Sequence, residues 1–471
     1  MMNQKIIDKP KSNCGVVGVY GDPEASRLAY LALYSLQHRG QESAGIVSSD
    51  RNHVRKHVGQ GLVSDVFSDA KVFDYLAGDI AIGHNRYSTT GATHLINTQP
   101  LLVNGKDGPF AISHNGNFTN SGYLRHKLES EGSIFQTTTD TEVVLHLVAR
   151  SRKKDMASKL VDALSQIRGA FSLVMMTNDR IFAARDSNGV RPLCLGKRDE
   201  AFFVVSETCA LDLIRAEEIR SIKPGELLEI SKDGIKSYHF GEKRQRHACI
   251  FEFIYFARPD SRIFDENVDK VRRKLGKTLA LESPADADIV ISVPDSSNTA
   301  AVGYSRRSDL KFELGLIRNH YVGRTFIHPQ QGMRDFSVRV KFNTVKGVLK
   351  DRRVVVVEDS IVRGTTLKQL VSLIRHAGAK EVHVRVSSPP IISPCYYGMD
   401  FPSKSELIAS NMSVEEIRKF LDCDSLEYLS LEGLLKSVPK EQGGFCTACF
   451  SGEYPIPIEN NIGKFQHELE E

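Results

Sequence analysis

No apolar run in this sequence approaches the ~18 residues that a membrane-spanning helix needs. Its first residues, Met1 to Asn13, are polar and lack the apolar core of a secretory signal. A cytoplasmic chain without a membrane partner is the expectation. A charge block is missing too: 62 basic and 58 acidic residues are interleaved to a formal net charge of +4. With no basic stripe interleaved with aromatics, nucleic acid is not an expected partner. Low-complexity stretches and internal repeats are absent, which excludes a solenoid and a disordered chain. Cysteine is sparse: eight in 471 residues are too few for a secreted disulfide framework and suggest reduced thiols or metal ligands.

What is present suits ordinary packed cores, with 41% hydrophobic and 25% charged residues. The length exceeds the roughly 250 to 300 residues at which one core stops growing, so two domains are expected. From Cys14 to about Tyr238, short strands such as CGVVGVYG, AIGHNRY, FAISHNG, FSLVMM and AFFVVS are separated by glycine turns, with helices expected at Glu24 to Gln37 and Thr141 to Ala149. This reads as a strand-rich α+β layer domain. A polar, basic stretch, Gly241 to His247, is the expected linker. Beyond it, helical VDKVRRKLGKTLAL, NTAAVGYSRR and TLKQLVSLIRHAG alternate with strand-like ADIVISV, RRVVVV and EVHVRVS, the pattern of an α/β parallel sheet covered on both faces. Ligands in such sheets bind beyond the carboxyl ends of the strands, where the loops Pro294 to Asn298 and Glu358 to Gly364 fall.

In VVVVEDSIVRGTT, Val354 to Thr366, Glu358 and Asp359 end a buried strand and a small-residue loop opens a helix. Helix-start N–H groups, with the hydroxyls of Ser360, Thr365 and Thr366, can cradle a phosphate, and Gly364 permits close backbone approach. The carboxylates can take ribose hydroxyls or Mg²⁺; acids after an apolar strand also serve simply as helix caps. In the first half, Cys14 opens the strand pattern. If the residues before it are removed, its α-amino group, with a pKa of ~8, is matched to taking the thiol proton. A small buried cysteine at a strand start is the alternative. Cys446 and Cys449 form a C-x-x-C pair, which alone suggests half a zinc site.

The strings LQHRGQESAG, GHNRYSTTG, ISHNGNFTN and TTTDTE together resemble the class II, N-terminal-nucleophile glutamine amidotransferases, and EDSIVRGTT resembles the phosphoribosyl pyrophosphate (PRPP) motif of type I phosphoribosyltransferases. The two occur together in the amidophosphoribosyltransferases that start purine synthesis, and the resemblance runs from Cys14 to about Tyr454. It implies an αββα glutaminase domain over residues 14–245, after a propeptide of residues 1–13, and a phosphoribosyltransferase domain with a C-terminal extension over residues 246–471. Cys14 is then the nucleophile, and Asn115 and Gly116 form the oxyanion hole. Arg86 and Asp140 hold the glutamine α-carboxylate and α-ammonium, with Arg39 and Thr89 supporting. Related propeptides tend to end in acidic residues; here Lys11, Ser12 and Asn13 stand there.

For the second site the resemblance implies PRPP binding by Glu358, Asp359, Ser360, Arg363, Gly364, Thr365 and Thr366, and one Mg²⁺ per subunit held by Ser296, Glu358 and Asp359. Glu358 stands where this branch usually carries Asp. The stretch Arg324 to Lys346, with Arg334, Arg339 and Lys341, resembles that family's substrate-covering loop. Cys249, Cys395, Cys446 and Cys449 match the ligands of one [4Fe–4S] cluster per subunit, with zinc as the rival, while Cys194, Cys209 and Cys423 match no ligand position. Glutamine and PRPP as substrates, feedback by purine nucleotides and a homotetramer are further implications. The rival readings are a glutamine enzyme serving another sugar phosphate, against which EDSIVRGTT argues, and a silent nucleotide sensor in which Cys14 is never exposed.

Overall fold

The inner strands of the first half are buried on both faces, which explains why segments such as Gly15–Tyr20 and Gly169–Met176 read as largely apolar runs. The structure, a computed structural model, describes residues 14–87, 95–319, 341–399, 401, 403–439 and 444–458. The first thirteen residues, Thr89, Arg334 and Arg339 lie outside them.

One antiparallel sheet has the spatial order Glu217–Ser221, Cys194–Arg198, Ala201–Val205, Gly15–Tyr20, Ile80–Arg86, Ser43–Ser49 and Val54–Gln60. A second has the order Gly234–His239, Glu226–Ser231, Ile181–Arg185, Gly169–Met176, Gly108–Phe118 and Leu101–Gly105. Alternation assigns Val16 and Tyr20 to the core between the sheets, with Val174, Met176 and Ile230, and Val17 and Val19 to the opposite face. That opposite face is covered by helix Ala25–Ser35, whose Ala25, Leu28, Ala29, Ala32 and Leu33 recur at helical spacing. Helices Glu142–Arg150 and Met156–Leu164 cover the outside of the second sheet. The result is a four-layer αββα sandwich.

Between His239 and His247 the chain is neither helix nor strand. The second half builds a parallel sheet in the order Lys311–Phe312, Ile289–Ser292, Arg353–Glu358, Glu381–Val386 and Ser425–Tyr428. The strand order reverses between Ile289–Ser292 and Arg353–Glu358, so a crevice opens beyond their carboxyl ends. Helix Thr365–His376 buries Leu367, Leu370, Val371 and Ile374, one apolar stripe, against this sheet. A short parallel pair, His247–Cys249 with Gly444–Cys446, ties the start of this half to its end and sets Cys249 opposite Cys446. Among the described residues, no helix is long and apolar enough to cross a membrane.

Candidate active site

Cys14 precedes the central strand Gly15–Tyr20 and is buried, its Sγ 3.5 Å from the Tyr87 carbonyl. Asn85 fixes this end of the strand: its Oδ1 accepts from Gly15 N at 2.7 Å and its Nδ2 donates to Leu36 O at 2.7 Å. A Cβ on residue 15 would come 2.3 Å from that Oδ1, so only glycine permits the approach. Burial pushes the Cys14 thiol up, while the Tyr87 contact and the Arg86 charge oppose the shift. Arg86 ends the neighbouring strand and is buried, close enough that the charges of Cys14, Glu42 and Asp140 act on it.

Asp140 lies two residues before helix Glu142–Arg150. Burial opposes its ionisation, but nearby His114, the Phe118 N–H at 2.9 Å and the Thr141 hydroxyl at 3.3 Å outweigh it and hold the carboxyl below its ordinary range. The strand Gly108–Phe118 aims its N–H groups by its period of two. The His114 N–H donates to Gln99 Oε1 at 2.7 Å and the Phe118 N–H to Asp140. Gly116, midway, points its N–H the same way. Its register partner Phe171 spends its own N–H and C=O on Asp186, as a pair not bonded to each other does. Gly116 has φ +143°, and a Cβ there would lie 2.0 Å from the Ala170 oxygen. Asn115 is fully buried, yet neither side-chain amide atom has a partner among the described residues. A buried amide of this kind calls for a partner, which a bound ligand or water can supply.

Four supporting residues escaped the sequence reading, although three stand inside its strings. His84 Nε2 donates to the His114 carbonyl at 3.0 Å, His114 Nδ1 meets Thr141 Oγ1 at 3.0 Å, and Gln99 Nε2 reaches the same hydroxyl at 3.1 Å. Burial pushes His84 down to about 3, which keeps it neutral beside Arg86. Arg39, expected in a supporting role near the substrate, is wholly buried in an ionic cluster beside Cys14. Its guanidinium meets Glu207, donates to Glu252 at 2.8 and 3.1 Å, and through Nε approaches the Cys14 carbonyl at 3.3 Å.

At the crevice of the parallel sheet, Ile289–Ser292 and Arg353–Glu358 are hydrogen-bonded neighbours, so the loops after them meet. Ser296 Oγ donates to Asp359 Oδ2, and Ser297 Oγ donates to Glu358 Oε1 at 3.0 Å. Ser360 Oγ donates to Asp359 Oδ1 at 2.7 Å, and Gly364, at φ +77°, caps helix Thr365–His376. Both acids are buried. Ser297 was not anticipated; the doubled serine of VPDSSN was its one signal. Arg363 pairs with Glu406 at 2.7 Å. Lys341, at the edge of the described residues, has its ammonium pushed down by burial.

The four cysteines named above line one pocket with Val190, Arg191, Tyr397, Met399, Ala448 and Tyr454. The parallel pair brings Cys249 to Cys446, and the Cys449 carbonyl accepts from Ile392 N and Ser393 N at 2.9 and 3.1 Å, which draws in the Cys395 segment. Burial raises the thiols of Cys249, to about 12, and of Cys446 and Cys449. Among the described residues, no three His, Cys, Asp or Glu side chains gather around one metal-ion position. Cys194, Cys209 and Cys423 pack into cores elsewhere.

A four-layer sandwich of the N-terminal-nucleophile type, followed by a phosphoribosyltransferase-like parallel sheet, defines a two-domain glutamine-dependent transferase. Comparison with known proteins agrees. The family model described as a glutamine amidotransferase domain matches residues 84–213. Chloroplastic amidophosphoribosyltransferase 2 of Arabidopsis thaliana is 52% identical over 98% of this chain and 82% of its own. The amidophosphoribosyltransferase of Bacillus subtilis is 48% identical over 94% of each chain. Among solved structures, the B. subtilis glutamine PRPP amidotransferase complexed with ADP and GMP superposes with a TM-score of 0.91 at 47% identity, covering 95% of this chain and 98% of that one. An allosteric regulatory enzyme of purine biosynthesis gives 0.92 at 47% identity, covering 95% and 97%. The chain belongs to the amidophosphoribosyltransferase family.

Proposed function

We propose that this chain catalyses the first step of purine synthesis, making 5-phosphoribosylamine from glutamine and PRPP, with Cys14 as nucleophile and the Glu358–Asp359 loop as the phosphoribosyl site. One observation carries the residue roles: the orphaned amide of buried Asn115 lies beside a Gly116 N–H aimed the same way as its side-chain-bound neighbours. A buried amide donor with no acceptor among the described residues, beside a backbone N–H aimed away from its neighbouring strand, suits an oxygen that becomes negative only during reaction.

Removal of residues 1–13 frees the Cys14 α-amine, which takes the thiol proton. The sulfur attacks the glutamine amide carbon, Asn115 and Gly116 hold the resulting oxyanion, and the amine returns a proton as ammonia leaves. Arg86 and Asp140 bind the α-carboxylate and α-ammonium, with Thr89 supporting. Water then hydrolyses the thioester to glutamate. Ammonia has to travel as NH₃, because ammonium has no lone pair with which to attack the ribose C1 and expel pyrophosphate. Backbone N–H groups from Ser360 to Thr366 and the hydroxyls of Ser360, Thr365 and Thr366 suit the 5′-phosphate, and Glu358 and Asp359 the ribose hydroxyls.

The donor set of Ser296, Glu358 and Asp359 is all oxygen, as Mg²⁺ prefers, and the ion when bound neutralises the departing pyrophosphate. The thiols of Cys249, Cys395, Cys446 and Cys449 suit a [4Fe–4S] cluster. Burial favours the protonated thiols, so a cationic group has to displace the protons for thiolates to form there. Its role is to join the two ends of the second half. Feedback by purine nucleotides, a homotetramer and a cytoplasmic location belong to the same reading; a B. subtilis relative was solved with ADP and GMP.

The test is the stoichiometry of products from anaerobically purified protein given glutamine, PRPP and Mg²⁺. Equal release of glutamate and pyrophosphate is expected, with Cys14→Ser abolishing the glutamine reaction while leaving synthesis from ammonium salt. Glutamate without pyrophosphate would mean a different acceptor, and glutamine turnover by Cys14→Ser would exclude the nucleophile.

A further inference from the structure

Both halves of the glutaminase centre are backed by residues from beyond residue 246. On the oxyanion side, the segment Tyr396–Gly398 lies against the strand Gly108–Phe118. Asn117 Nδ2 donates to the Tyr396 carbonyl at 2.9 Å. A Cβ on Gly398 would stand 2.8 Å from the Gly116 carbonyl carbon and 2.9 Å from its Cα, both backbone atoms that cannot yield as a flexible side chain could. Gly398 also holds φ +98°, a conformation that L side chains rarely adopt. The segment is itself anchored. Tyr397 OH donates to Ile456 O at 2.6 Å and accepts from Ile456 N at 2.9 Å, and the Tyr397 carbonyl accepts from Arg191 Nε at 3.1 Å.

On the nucleophile side, Arg39 links the Cys14 carbonyl to Glu252, and Glu252 accepts from Arg191 Nη1 at 3.3 Å. Arg39, Arg191, Glu207 and Glu252 are all fully buried, two cations facing two anions. The Arg191 guanidinium therefore holds both Glu252, behind the nucleophile, and Tyr397, behind the oxyanion peptide.

We infer that Gly398 is a positioning residue for the glutamine reaction: the second domain presses its α-carbon against the Gly116 peptide and so sets the direction of the oxyanion-binding N–H, while Arg191 keeps that wall in register with the Arg39–Glu252 support of Cys14. The inference rests on the roles proposed for Cys14 and Gly116. It states which part of the second domain completes the glutaminase site. An oxyanion donor acts only if it is aligned within a fraction of an ångström, so a wall of backbone against backbone suits the task.

The test is Gly398→Ala in the full-length holoenzyme, with glutamine hydrolysis and ammonia-dependent synthesis assayed separately. The added methyl displaces the Gly116 peptide, and kcat for glutamine is expected to fall roughly ten- to a hundredfold, part of what loss of a whole oxyanion donor causes. The KM for glutamine should stay within about twofold, because Arg86 and Asp140 are untouched, and ammonia-dependent synthesis should stay within about twofold. Asn117→Ala, which removes the hydrogen bond to Tyr396, is a milder variant that tests the same wall if Gly398→Ala does not fold. It should lower the same kcat about threefold to tenfold, with KM again unchanged. Equal loss of both activities in a folded variant would make the contact merely structural and overturn the inference; so would full glutamine turnover by both variants beside an inactive Cys14→Ser. An active Cys14→Ser would instead remove the underlying assignment of the nucleophile.

Discussion

Asn115→Ala separates catalysis from stability in a way that a structural asparagine would not. The wild-type side chain is fully buried, and neither amide atom has a partner among the described residues. An amide left this way costs the folded state about 1 to 3 kcal/mol. Truncation removes that cost and opens a small cavity worth about 1 kcal/mol. Stability should therefore stay about unchanged or rise by up to ~2 kcal/mol. Catalysis should move the other way, because losing one oxyanion donor lowers kcat by about 10² to 10³, or about 2.7 to 4 kcal/mol. Urea denaturation gives the first quantity and glutamate release at saturating glutamine the second. A loss of more than ~2 kcal/mol in stability, or a kcat within about threefold of wild type, would refute the reasoning, since either would mean that Asn115 serves the fold.

Asp359→Asn should lower PRPP-dependent turnover at least about a hundredfold, some 2.7 kcal/mol in the barrier, while glutaminase folding is retained; unchanged saturation curves for PRPP and Mg²⁺ would remove Asp359 from the site. His84 adds a pH dependence to stability. Its folded value of about 3 lies below the ordinary imidazole range, so between the two the unfolded chain binds the proton and the folded chain does not. Stability then falls as pH drops from about 6.5 toward 3, by at most about 1.4 kcal/mol per pH unit from this group. His84→Gln should flatten that slope in urea titrations at pH 4.5, 5.5 and 7, and an unchanged slope would count against it. Anaerobically purified protein should be brown, with about four irons and four acid-labile sulfides per chain; a colourless, zinc-rich protein would exclude the cluster.

Within each half, fold and chemistry were legible where local pattern carries them. The helix expected over Glu24 to Gln37 forms at Ala25–Ser35, and RRVVVV becomes the strand Arg353–Glu358, because side-chain periods of 3.6 and 2 are properties of adjacent residues. The acid pair, the helix-opening Gly364 and the cysteine pair were visible for the same reason: each is a short string with its own chemistry. What no string contains is a pairing between distant positions. Arg39 meets Glu252 across 213 residues and Asn117 meets Tyr396 across 279, and neither partner signals the other locally. Ser297 joined the acid pair only once two parallel strands set their loops side by side. The sequence by itself determined which main elements form and which short strings hold the candidate site residues. Tertiary structure alone decided that Arg39 reaches the Cys14 carbonyl and Glu252 together and that Gly398 backs the Gly116 peptide, because both depend on how two separately patterned halves pack together.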